Sequence, residues 1–115
     1  MNESRQRLIE EFRDREYREA YADDFLRTGI ATQISAIRDK RGLTQKQLAE
    51  ALETKQAGIS RLENVNYSRW NIDTLRRVAY ALGTRLKVSF ETFGTLVEEA
   101  VAARPAQYAA TTTSV

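Results

Sequence analysis

The chain has 115 residues and a mass of 13.1 kDa, enough for one domain around a single hydrophobic core and too little for a second. It is 42% hydrophobic and 30% charged with one proline, which excludes a low-complexity chain, and it has no cysteine or histidine, which excludes a disulfide framework and the usual structural zinc ligands. Net charge is +2 but uneven, −2 over residues 1–27, +6 over 28–90 and −2 over 91–115, the profile of a polyanion-binding centre with other duties at its ends.

Residues 5–26 are dense in helix formers and free of glycine and proline, which predicts one or two helices. Leu8, Ile9 and Phe12 mark an apolar face, and Tyr17, Tyr21 and Phe25 repeat at a spacing of four along one stripe, a pattern that docks this arm on the core. The next helix is predicted from about 28 to 41. In it Ile30, Ile34 and Ile37 share a face, Arg38 and Lys40 point away, and Gly42 follows as a stop. Thr44 and Gln47 then form a capping box that opens a helix with Leu48 and Leu52 inward and the small Ala49 where a neighbour must approach. Thr54 is placed to cap a short helix over residues 55–63 whose inward residues are Ile59 and Leu62.

A loop over residues 64–70 leads to a helix capped by Asn71 and ended by Gly83, with Leu75, Val78, Ala79 and Leu82 as its apolar stripe. Here the period changes. Leu86, Val88 and Phe90 alternate with Arg85, Lys87 and Ser89, the pattern of a half-buried strand over residues 85–90. No second strand is visible in the sequence, so the expected ladder partner is the same segment of another copy. Phe93, Leu96, Val97, Ala100 and Val101 return to helical spacing, with Thr95 and Glu98 as a second capping box. Arg104 and Pro105 stop that helix, and the remainder through Val115 is expected to be a disordered tail.

Two short helices hold a fixed angle across a tight turn only if their contact is small and apolar, which Leu48, Ala49, Leu52, Ile59 and Leu62 provide. That leaves Lys55, Gln56, Ala57, Gly58, Ser60 and Arg61 outward on the second helix. These are donors and acceptors of the kind that read base edges, with two small residues that permit close approach. The stretches LTQKQLAEAL, TKQAGISRLEN and TLRRVAYALG make residues 30–83 resemble the phage-repressor-like, or XRE-type, helix-turn-helix family.

The resemblance implies a mainly α fold, a repressor-like bundle of four to five short helices. Here it would carry an N-terminal helical arm, one C-terminal β-strand paired between copies and a short C-terminal helix. It also implies that residues 55–63 enter the major groove of double-stranded DNA. Gln45 matches a phosphate-clamping position, and Lys55, Gln56, Ala57 and Arg61 match base- or backbone-facing ones. Asn64, Asn66, Ser68 and Arg69 fall in a loop that touches the sugar-phosphate backbone. Lys46, Thr54, Gly58 and Ser60 complete the expected DNA-binding set, and Leu86, Val88 and Phe90 form the expected dimerisation set. One position departs from the family: Glu53 stands where glycine is usual, and a left-handed backbone there would cost about 1 kcal/mol.

The expected organisation is a helical arm over 1–27, a helix-turn-helix domain over 28–84, a dimerisation strand and helix over 85–104, and a tail over 105–115. The expected function is sequence-specific DNA binding by a dimeric bacterial transcriptional repressor on an inverted-repeat operator. The flanks FRDREYREAYADDFLRTGIATQI and RLKVSF also resemble those of small bacterial regulators, some of which are antitoxins that bind a toxin and repress their own operon. That is the alternative. No enzyme activity is expected, because no glycine-rich phosphate loop or nucleophile elbow is present and the neighbouring carboxylates Asp23 and Asp24, like Glu98 and Glu99, diverge on a helix. No metal or cofactor is expected. No apolar run reaches membrane-spanning length and the first residues are polar, so the expected location is the cytoplasm, with nucleoid association through DNA.

Overall fold

The computed structural model describes residues 2–102. Within them lie six helices: α1 (Asn2–Glu11), α2 (Arg15–Lys40), α3 (Gln45–Ala51), α4 (Gln56–Leu62), α5 (Ile72–Ala81) and α6 (Phe93–Ala102). α2 is the axis of the molecule; its 26 residues span about 39 Å, against a longest molecular extent of 46 Å. The break expected near Thr28 is absent, so the second half of the arm and the first domain helix are one element. A single glycine, Gly29, is tolerated inside a helix for about 1 kcal/mol, and strong signals lie only at the ends. Asp14 accepts the Tyr17 amide at one end, and Gly42 turns left-handed at the other (φ 73°). At 100° per residue, Tyr17, Tyr21 and Phe25 fall on roughly the opposite side of α2 from Ile30, Ile34 and Ile37. Each face builds its own core.

The C-terminal half of α2 closes the main core with α3, α4 and α5 through Ile34, Ile37, Leu48, Ala49, Ile59, Leu62, Leu75, Val78 and Leu82. The capping box is present, with the Thr44 hydroxyl accepting the Gln47 backbone amide and the Gln47 side-chain Oε1 accepting the Thr44 backbone amide. Asn71 caps α5 by accepting from Thr74. α2, α3 and α5 all end the same way, the two residues after the cap turning their amides back onto the last turn's carbonyls, as from Leu43 to Arg38, Thr54 to Ala49 and Thr84 to Ala79. The pivot of that turn needs positive φ. It is Gly42 and Gly83 in two cases and Glu53, at φ 55°, in the third.

A second, smaller core forms on the N-terminal half of α2, where Leu8, Phe12 and Val97 are buried together. The arm therefore docks on α6 rather than on the main core. Phe12 meets Tyr21 and Phe93 edge-on, at centroid distances of 5.2 and 6.1 Å. Arg18 stacks its guanidinium 5.3 Å from the centre of the Phe93 ring and donates to the Phe12 carbonyl at 3.1 Å. Arg5 and Glu98 pair at 2.7 Å across α1 and α6. The capping box expected from Thr95 and Glu98 is not formed. α6 starts three residues earlier, at Phe93, with the Thr92 hydroxyl near the Thr95 amide and Glu98 taken by Arg5.

The strand expected over residues 85–90 is also absent; the described residues contain no strand. A ladder needs a neighbour, and among the described residues the backbone from 85 to 91 finds no hydrogen-bond partner. The segment is instead an extended strap between the two cores. Gly83 stands over the Arg41 side chain and Phe93 against Arg18, levels about 35 Å apart along α2, and ten backbone steps reach about that far only when stretched. Leu86 packs on the main core, whereas Val88 is 64% exposed and Phe90 fully exposed, so the three do not share one buried face within the chain. The stop at Arg104 and Pro105 and the tail to Val115 lie outside the described residues. Among those described, no helix is long and apolar enough to cross a membrane.

Candidate nucleic-acid interface

α3 and α4 are joined by the turn at Glu53, where Arg77 of α5 donates to the Leu52 carbonyl at 2.8 Å, satisfying an acceptor that the end of α3 leaves open. α4 begins at Gln56, one residue later than expected. Lys55 occupies the cap position without a side-chain hydrogen bond. Thr54 does not cap α4, because its amide closes the end of α3 and its hydroxyl lies beside Gly58. Ile59 and Leu62 point into the core, which forces the opposite side of α4 outward. Gln56, Ala57, Ser60 and Arg61 are exposed there, Gly58 is half-buried, and Lys46, Thr54 and Lys55 are exposed on the preceding segments.

Behind this face lies a polar relay. Glu63, at the end of α4, receives Arg38 through Nε at 2.6 Å and Nη2 at 3.1 Å. The pair is nearly enclosed, with side-chain exposures of 12% for Arg38 and 8% for Glu63. Arg38 also donates from Nη1 to the Leu43 carbonyl at 2.8 Å, so one guanidinium ties together α2, the loop after it and α4. Its pKa is held above the ordinary arginine value chiefly by the hydrogen bond to Glu63, with burial opposing. The expectation that Arg38 faces away from the core is therefore corrected: it sits one residue from Ile37 at the rim of the apolar stripe, and a buried carboxylate draws it in.

The relay continues to the surface. Glu63 also accepts the Gln45 amide nitrogen at 3.0 Å, and the Gln45 oxygen faces the Gln56 amide nitrogen at 3.5 Å. Gln45, half-buried at the start of α3, and Gln56, exposed at the start of α4, are thus brought together. After α4 the chain is held by its own turns. The Asn64 side chain accepts the Asn66 amide at 2.9 Å, and the Tyr67 hydroxyl donates to the Arg69 carbonyl at 3.1 Å. This leaves Asn64, Asn66, Ser68 and Arg69 exposed, and among the described residues their side chains make no hydrogen bond to the relay. The sequence places Arg38 on an outward face and assigns Glu63 and Arg77 no site role. Their partners lie 25 residues away, beyond any local pattern.

A protein-family model described as a helix-turn-helix domain matches residues 11–91, taking in α2, the turn at Glu53 and the strap. No curated protein and no solved structure shows significant similarity to the chain.

Proposed function

Because the chain belongs to the helix-turn-helix domain family, we propose that it is an XRE-type, sequence-specific DNA-binding repressor that acts as a homodimer on an inverted repeat. The observation that carries this reading is the exposed side of α4 backed by the relay from Arg38 through Glu63 and Gln45 to Gln56. With its nitrogen turned to Gln45, Gln56 keeps its oxygen and a second N–H for a base edge, the pair adenine requires, and Arg61 can take guanine bidentately. Gln45, Lys55, Asn64 and Arg69 position the protein on phosphates, with Lys46 as a weaker contact. Thr54, Ala57, Gly58, Ser60, Asn66 and Ser68 line the approach. The reading is of a binding protein rather than an enzyme, working in the cytoplasm on the nucleoid.

Selection of bound duplexes from a random pool tests this. Alanine at Gln56 or Arg61 is expected to cost about 1–3 kcal/mol on the selected site and little on random DNA. Neutralising Lys55 or Arg69 is expected to weaken binding to all sequences and flatten its salt dependence. Recovery of no preferred sequence would overturn the reading. An antitoxin role is the second reading, favoured by the small α1–α6 core, which sits at the far end of α2 from α4 and could engage a toxin while DNA is held. Copurification of the product of an adjacent gene on co-expression would support it.

A further inference from the structure

The strap between the cores presents side chains and backbone that this chain leaves unused. Phe90 is fully exposed and Val88 is 64% exposed, an unusual arrangement for neighbouring large apolar residues on one side of an extended segment. Leu86, on that same side, is half-buried at the edge of the main core. Arg85 and Glu91 are exposed, and neither has an ion-pair partner among the described residues.

We infer that the strap is the contact between two copies, which lie antiparallel with Val88 on the two-fold axis. The inference rests on the dimeric reading above and adds to it the register. With Val88 opposite itself, Arg85 of one copy faces Glu91 of the other twice over, and Leu86 faces Phe90. The exposed Phe90 ring then lies beside the half-buried Leu86 and extends the other copy's main core. Apolar and charge pairing together select this register. Moving the centre to Ser89 pairs Lys87 with Glu91 but sets Leu86 against Thr92, and moving it to Lys87 opposes that charge to its own copy and sets Phe90 against Thr84. A half-step shift turns apolar faces against polar ones. The unpaired strap backbone gains a ladder from its twin. The contact is short, so affinity in free solution is modest and the operator completes the assembly by holding both copies.

The absence of cysteine makes the test direct, since a single introduced thiol has no rival in the chain. In the full-length protein under mild oxidation, V88C is expected to form a disulfide-linked dimer, because opposed residues have Cα atoms about 4.5–5.5 Å apart. K87C and S89C are expected to resist, since each would face its own copy at about 8 Å. R85E and E91R are each expected to lower affinity for the selected inverted repeat by about tenfold while leaving a single half-site unaffected, and R85E/E91R together to restore it. Cross-linking of V88C no faster than of K87C and S89C, or a double variant no better than the weaker single, would overturn the register. Half-site binding separates the two readings: its loss in the wild-type protein removes the DNA-binding proposal, whereas its retention with no V88C cross-link removes only the strap contact.

Discussion

At the C-terminal half of α2, nine buried residues from four helices close around Leu48, Ile59 and Val78, whereas at the N-terminal half three buried residues, Leu8, Phe12 and Val97, are roofed by aromatic rings. The first core joins residues between 34 and 82 through short loops. The second joins α1 to α6 from nearly opposite ends of the described chain and is closed at its edge by an exposed ion pair. Closing a long loop for few buried groups leaves little net stability. α2 therefore serves one unit expected to stay rigid and another expected to open on its own, and the exposed side of α4 belongs to the first.

The largest effect is expected inside the rigid unit. Glu63→Ala leaves the buried Arg38 guanidinium with only the exposed Asp39 carboxylate, 3.3 Å from Nη1, and is expected to cost about 3–5 kcal/mol in urea unfolding; a loss below about 1 kcal/mol would show that Asp39 and water compensate. Phe12→Ala probes the other unit. Removing a buried phenylalanine costs about 3–5 kcal/mol where the whole fold depends on it, but here α1 and α6 are expected to lose hydrogen-exchange protection while α3, α4 and α5 keep theirs. Loss of protection in all helices together would erase the distinction between the cores.

Smaller effects sharpen it. Glu53→Gly relieves the left-handed backbone at the end of α3 and is expected to raise stability by up to about 1 kcal/mol, the gain being reduced by the greater freedom of glycine in the unfolded chain. In thermal unfolding this appears as a rise of a few degrees, and a fall in Tm would mean that the Glu53 side chain makes a compensating contact. Glu98→Gln removes the pair with Arg5, whose side chains are 45% and 58% exposed, and is expected to cost under about 1 kcal/mol, less at high salt. A larger loss would make that pair a structural clasp.

Much of the rigid unit was legible from local pattern. Helix periodicity located α3, α4 and α5, the capping box at Thr44 and Gln47 formed as read, and Asn71 and Gly83 bound α5 as their chemistry requires. The strained turn at Glu53 was legible only through the family resemblance, which places glycine there. Thr54 was not correctly placed, because the end of one helix and the start of the next compete for the same residue and the α3 closure wins. The relay behind α4 had no local signature for another reason: an arginine and a glutamate 25 residues apart carry no sign in either neighbourhood that they will be buried together.

The amino-acid sequence by itself determined where helices start and stop, which of their faces are apolar and which side of α4 is left polar, because hydrogen-bond caps and 3.6-residue periodicity act over a few residues. Tertiary structure alone decided that the arm and the first domain helix are one rod, that its two faces serve separate cores, and that Arg38 turns inward. It also decided that residues 85–90 stretch between the cores instead of pairing within the chain. In each case the outcome depends on a partner distant in sequence, or on its absence, and no local propensity encodes that.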